Sequence, residues 1–151
     1  MLSMLDIQEI KNLMYTYALY VDQREHVRLG EMFAKGAIRS NRGEVGVALA
    51  GADAVRAAYD RNNKVMPDGT AGTKHLVTNI NISPRQDRES PVVATSYFTV
   101  CQATPALPLQ PIVMGRYEDR FVLEGDNWRF DQKIIFVDLM GDLSEHLNIQ
   151  L

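Results

Sequence analysis

Gly72-Thr-Lys-His-Leu-Val-Thr-Asn-Ile-Asn-Ile82 is the stretch from which the rest of the chain can be read. It has the character of a strand, and side chains alternate along a strand. His75, Val77, Asn79 and Asn81 then share one face, while Leu76, Thr78, Ile80 and Ile82 share the other. The second set is apolar and faces a core. The first is semi-polar and carries a titratable group, which suits a sheet whose second face lines a pocket or, alternatively, a strand that meets solvent.

Toward the N-terminus the pattern is helical. Ile7, Ile10, Met14, Tyr17 and Val21 recur at steps of three and four, which predicts a helix from Ser3 to Val21 with one apolar stripe. Ser3 and Asp6 have the spacing of a capping box, with Asp in place of Glu. After the polar break Asp22-Gln-Arg-Glu, the residues Val27, Leu29, Met32 and Phe33 make a shorter helix that ends before Gly36. Ala37 to Asn41 and Glu44 to Ala50 read as a short strand pair about a turn at Arg42-Gly43. A third helix follows from Gly51, with Asp53 as its expected cap. Met66 to Gly72 is a loop by its turn residues and leads into the His75 strand.

Toward the C-terminus the chain is β-rich. Pro84 to Pro91 reads as a turn, and Val92 to Ala103 as a strand buried on much of both faces. Thr104 to Pro111 holds three prolines and is expected to be a loop. Ile112 to Leu123 and Trp128 to Val137 are strands joined by the hairpin signal Glu124-Gly-Asp-Asn. Asp138 to Leu151 is weakly amphipathic, a tail expected to pack on a neighbour or fray. Three helices followed by four long antiparallel strands make an α+β domain, with the helices gathered on one face of a curved sheet.

The totals narrow the function classes. At 151 residues and 46% hydrophobic, the chain fits one domain spanning 1–151. A net charge of −3 argues against a non-specific nucleic-acid binder. No apolar stretch is long enough to span a bilayer, and Met1 to Gln8 has no basic leader, so a soluble, cytoplasmic protein is expected. The single cysteine, Cys101, excludes an internal disulfide and behaves as a small hydrophobe in a strand. No cluster of His, Cys, Asp and Glu has metal-ligand spacing, and Gly43-Glu-Val-Gly46 lacks a phosphate-cradling pattern, so neither metal nor other cofactor is expected.

The order of elements and several segments resemble the SnoaL-like branch of the nuclear transport factor 2 (NTF2-like) fold. The segments are Ile10-Lys-Asn-Leu-Met-Tyr-Thr-Tyr-Ala-Leu-Tyr-Val-Asp22, Leu29 to Phe33 and Gly51-Ala-Asp-Ala-Val. Thr73-Lys-His-Leu-Val-Thr-Asn-Ile, Gly115-Arg-Tyr-Glu-Asp-Arg-Phe and Asn127-Trp-Arg-Phe complete the set. The resemblance implies a cone in which three N-terminal helices and a strongly curved, mainly antiparallel sheet enclose an apolar cavity. That scaffold hosts enzymes and non-catalytic binders alike, so polar groups in the cavity must decide.

The pattern is most similar to the group of hexachlorocyclohexane dehydrochlorinase, scytalone dehydratase and bile-acid 7α-dehydratase. In that group an Asp after the first helix pairs with a His on the first long strand. Val-Asp-Gln-Arg and Thr-Lys-His-Leu-Val-Thr-Asn put those positions at Asp22 and His75. Tyr17, five residues before the Asp, matches a tyrosine of the bile-acid enzyme. The resemblance therefore implies His75 as a base, Asp22 as its orienting acid and Tyr17 as a donor to a leaving oxygen or enolate. For Tyr17 a core aromatic role remains open, and for Asp22 a turn role between helices.

Asn79 is a candidate substrate-binding residue beside His75. Arg116 and Tyr117 are candidates of which only one can point inward. Where scytalone dehydratase has a substrate-contacting Ser and Asn, this chain has Gly115 and Tyr117, and Val21 replaces a Tyr next to the Asp, which argues against the same substrate. Arg42 and Arg56 are expected at the surface, and His26 and His146 in solvated polar contexts. The expected activity is dehydration, another elimination or isomerisation of a hydrophobic ring-containing molecule, in a homodimer or homotrimer. The alternative is a non-catalytic binder or structural subunit, such as the small subunit of a ring-hydroxylating dioxygenase.

Overall fold

The computed structural model describes residues 1–42, 47–83, 87 and 89–151. The expected turn at Arg42-Gly43, the start of the strand at Glu44, the Gly43 to Gly46 segment and most of the turn from Pro84 lie wholly or partly outside the described residues. The first helix, α1 (Met4–Gln23), opens with the expected capping box: Ser3 Oγ accepts from the Asp6 N–H, and the Ser3 N–H donates to Asp6 Oδ2. Its buried stripe, Ile10, Met14, Tyr17 and Val21, follows the helical period, with Ala18 and Asp22 beside it. Arg24 ends the helix in the left-handed region at φ 56°, and its N–H bonds back to the carbonyls of Tyr20 and Val21.

The turn leads into α2 (His26–Glu31), and α3 (Ala52–Asn62) packs against it. Gly51, not Asp53, is the N-cap of α3; Asp53 lies in the first turn, where its carboxylate meets the positive end of the helix. The strands are β1 (Ala37–Ser40), β2 (Leu49–Ala50), β3 (Thr73–Ile82), β4 (Val92–Thr104), β5 (Leu107–Glu124) and β6 (Asn127–Met140). They form one sheet in the order β2-β1-β6-β5-β4-β3, antiparallel throughout except where β1 runs parallel to β6.

Two expectations about strands need correction. The stretch Leu107 to Pro111, expected as loop, is the start of β5. Its prolines are tolerated because β6 pairs with β5 only from Val113 onward and Pro111 opposes Cys101 at a register shift, so the stretch is edge-like and bulged. In β4 one face is buried, with Val92, Ala94, Ser96, Phe98, Val100 and Gln102 inward, while Tyr97 opposite is exposed.

The organising strand also changes parity. Asn79 has φ 53° and sits in a bulge where the β3–β4 register shifts between Thr78 and Asn81. Before the bulge His75 and Val77 turn inward and Leu76 outward; after it Ile80 and Ile82 pack on the core. Each half alternates as expected, but one extra residue flips the faces.

The core lies between the helices and the concave face of the sheet. Phe33 stacks on Phe130 at 4.9 Å and Phe98 on Tyr117 at 4.5 Å. Within it Lys133 on β6 stands directly across from Asp119 on β5, both fully buried, with Nζ 3.1 and 3.2 Å from the two carboxylate oxygens. Lys133 also lies over the ring of Tyr117 at 3.5 Å. Burial pushes the Asp119 carboxyl up and the Lys133 amine down, against the pull of each on the other.

The C-terminal tail folds back on its own chain: the Lys64 N–H donates to the His146 carbonyl (2.8 Å), the Asn148 N–H to the Asn62 carbonyl (2.8 Å), and Leu143 and Leu151 pack on the core. Among the described residues, no helix is long and apolar enough to cross a membrane.

Candidate active site

Asp22 occupies the last turn of α1, where a carboxylate faces the negative end of the helix and needs compensation. Compensation comes from the start of β3. The Asp22 backbone carbonyl accepts from the Ala71 N–H at 3.0 Å, which seats the Met66 to Gly72 loop against the helix end. Thr73 and His75 then project from one face of β3 onto the carboxylate. Thr73 Oγ1 donates to Oδ1 (2.7 Å), the His75 backbone N–H donates to Oδ2 (2.9 Å), and His75 Nδ1 lies 2.6 Å from Oδ1.

Asp22 is only 7% exposed. Burial opposes its ionisation, but the hydrogen bonds from His75 and Thr73 and the His75 charge outweigh that and hold the carboxyl below its usual range. An ionised carboxylate only accepts, so Nδ1 of a neutral His75 carries the proton and Nε2 is left as the basic nitrogen.

His75 lines an open cavity of about 670 Å³ bordered by the helices, the sheet and the tail. Tyr17 and Val21 line it from α1, Phe98 and Val100 from β4, and Tyr117 from β5. Tyr17 and Tyr59 share a hydrogen bond of 2.6 Å between their hydroxyls. Burial raises both phenols, Tyr17 well above its ordinary value and Tyr59 to about 12, so both are neutral at pH 7. One hydroxyl donates to the other, and Tyr17 also interacts with the Tyr117 hydroxyl, so the three phenols form one buried cluster on the cavity wall.

The remaining expected residues divide by sheet face. Tyr117 points inward and is buried against Phe98 and Tyr17. Arg116 points outward, over the Phe136 ring at 4.3 Å and 3.3 Å from Asp138, away from the cavity lining. Asn79 is exposed on the bulge and does not line the cavity. Gly115 stands at a register shift where a Cβ would come 1.9 Å from the Phe136 carbonyl oxygen, so a serine cannot occupy this position without moving β6. Arg56 is on the surface beside Asp60 (3.5 Å), whereas Arg42, also exposed, borders the cavity together with Arg39 and Arg61.

Both histidines expected in solvent are buried. His26 packs edge-on to Tyr59, with Nδ1 2.7 Å from Asp60 Oδ1. His146 lines the cavity from the tail, its ring centroid 6.3 Å from that of His75. Tyr59 and His146, with Arg39 and Arg61 at the border, are cavity groups that sequence reasoning missed. The spacing of Leu143, His146 and Leu147 at three and four was the available signal for His146; Tyr59 in an alanine-rich helix offered none. Among the described residues, no group of three His, Cys, Asp or Glu side chains is placed to hold a metal ion.

The profile of the SnoaL-like domain matches residues 3–133. The chain belongs to the SnoaL-like domain family. A comparison with curated proteins finds no match. Among solved structures, this SnoaL-like chain is similar to a Nostoc punctiforme protein of unknown function with a cystatin-like fold, at TM-score 0.72 and 22% identity over 91% of this chain and 94% of that one. It is also similar to a scytalone dehydratase-like protein from Novosphingobium aromaticivorans, at TM-score 0.69 and 17% identity over 91% and 87% of the two chains. A third similar structure is the β subunit assigned to an aromatic-ring-hydroxylating dioxygenase of the same organism, at TM-score 0.67 and 17% identity over 94% and 95%. At these identities the likeness establishes the shared NTF2-like, cystatin-like fold of the SnoaL-like family and leaves the chemistry to the cavity.

Proposed function

We propose that this protein is a cofactor-independent acid/base enzyme that carries out an elimination, such as dehydration, or an isomerisation on a hydrophobic ring-containing molecule. The observation that carries this reading is the Asp22 carboxylate, held by three donors of which one is the ring of a cavity-lining histidine. The bond from Nδ1 to Asp22 sets the tautomer so that a basic nitrogen remains.

In the proposed elimination, His75 Nε2 removes a proton from a carbon next to a carbonyl. The C–H electron pair becomes the new double bond, and the bond to the leaving oxygen or halide breaks with its electrons. Asp22 stabilises the imidazolium as it forms. The Tyr17–Tyr59 pair offers one O–H to the oxygen that gains charge, at a buried position where the interaction is stronger than in water. In isomerisation the same proton returns at another carbon.

On the outer sheet face Leu76, Thr99, Met114 and Leu139 fall in one row across β3, β4, β5 and β6, with all three apolar members exposed. This row supports a homodimer or homotrimer that covers the sheet.

The test is deuterium uptake next to the carbonyl of 1-tetralone, a bicyclic ketone, in heavy water. The wild type should catalyse exchange and His75→Ala should not. Absence of exchange in the wild type, or its persistence in His75→Ala, would overturn the reading in favour of a non-catalytic binder or subunit.

A further inference from the structure

The proposed chemistry uses His75, Asp22 and the Tyr17–Tyr59 pair, and leaves His146, a buried imidazole in the cavity wall, without a task. His146 is only 6% exposed, and its Nδ1 is buried with no hydrogen-bond partner. The chain works to place it there. Its carbonyl accepts from Lys64, its N–H donates to the Leu143 carbonyl, Leu147 bridges to Asn63, and Gln102 Nε2 donates to the neighbouring Glu145 carbonyl at 3.1 Å.

A neutral imidazole has one N–H and one lone pair. Orphaned buried N–H groups are rarer than under-satisfied acceptors. A partnerless buried Nδ1 is less costly as a lone pair than as an N–H, which favours the tautomer with the proton on Nε2. His75, with Nδ1–H bonded to Asp22, has the opposite tautomer. Two imidazoles 6.3 Å apart thus differ in role, one an acceptor and the other a donor. Burial lowers the His146 ring to about 4, further whenever His75 is protonated and against the pull of Asp22, which keeps it neutral and a donor of a single proton.

We propose that His146, carried into the cavity wall by the C-terminal segment, is a substrate-contacting residue whose Nε2–H donates a hydrogen bond to a carbonyl oxygen of a ring ketone. The ligand class follows from the pairing: an oxygen that accepts from His146, next to a carbon whose proton His75 can reach. The inference rests on the acid/base reading for its ligand class but not for its donor.

Two measurements test it. In the free protein, ring ¹⁵N spectra should show His146 as the Nε2–H tautomer at pH 7; an Nδ1–H or charged ring overturns the proposal. In the second, 1-tetralone with a ¹³C-labelled carbonyl is bound to the wild type and to His146→Phe and His146→Gln, each checked for a wild-type circular dichroism spectrum. The bound carbonyl stretch should shift to lower frequency in the wild type. His146→Phe should lose the shift and bind about tenfold more weakly, while His146→Gln, which keeps an N–H, should restore part of both. An unchanged shift in His146→Phe, or no binding by the wild type, overturns the donor role. His75→Gln should keep the carbonyl shift, so a protein that shifts the carbonyl but exchanges no deuterium retains the His146 assignment and refutes only the acid/base reading.

Discussion

Asp22 accepts from His75 twice, from the ring at Oδ1 (2.6 Å) and from the backbone N–H at Oδ2 (2.9 Å), although the two residues are 53 positions apart. The double contact ties ring orientation to strand position. Asp22→Asn retains size but can no longer act as a charged acceptor, so turnover in the deuterium-exchange assay should fall about 10²-fold or more. Asp22→Ala should also cost about 3 kcal/mol in urea unfolding, because Thr73 Oγ1 and the His75 donors lose a buried acceptor.

His146 makes stability depend on pH. Below pH 6.5 the unfolded chain protonates this ring, whereas the folded chain does not until about pH 4. The unfolded state binds more protons across that window, so stability falls as pH falls. The full difference is about 3 kcal/mol at one histidine, and His26, lowered by burial in spite of Asp60, adds in the same direction. Urea midpoints measured from pH 7 to 4 should decline steeply for the wild type and less steeply for His146→Gln.

The buried pair of Asp119 and Lys133 is expected to tolerate double replacement better than single. Asp119→Ala leaves a buried ammonium without its carboxylate and should cost about 3–5 kcal/mol. Asp119→Leu with Lys133→Met exchanges the pair for apolar side chains and should be close to neutral or stabilising. Thermal unfolding of the three proteins provides the comparison.

Asn79 is a conformational residue on its geometry. At φ 53° a β-branched side chain is strained, so Asn79→Val should destabilise by about 1–2 kcal/mol, while Asn79→Gly should stay within about 0.5 kcal/mol of the wild type. Exchange activity should be unchanged in Asn79→Gly, since the side chain does not line the cavity.

Gly115 permits the close approach of β5 and β6 at their register shift. A Cβ there would meet the Phe136 carbonyl oxygen at 1.9 Å and the Phe98 ring at 2.8 Å. Gly115→Ala should therefore lower stability by about 2 kcal/mol or more, measured by urea unfolding, with loosened packing between Phe98 and Tyr117 on the cavity wall.

The amino-acid sequence by itself determined most of the elements, and the cone was expected through resemblance. The period of Ile10, Met14, Tyr17 and Val21, the Ser3–Asp6 box and the Glu124 to Asn127 turn are local signals, and each appears where expected. Asp22 and His75 were legible as a pair only through resemblance, because neighbouring residues encode period and turn but not distance between segments. Tertiary structure alone decided the rest. A bulge at Asn79 switches which alternate residues of β3 face inward, from His75 and Val77 before it to Ile80 and Ile82 after it, and alternation cannot reveal one extra residue in advance. Packing of the tail against Asn62 to Lys64 turned His146 from an expected surface residue into part of the cavity, and docking of α3 joined Tyr59 to Tyr17. Side-chain period is a property of one segment, whereas a site is a property of several, assembled by the burial that folds the chain.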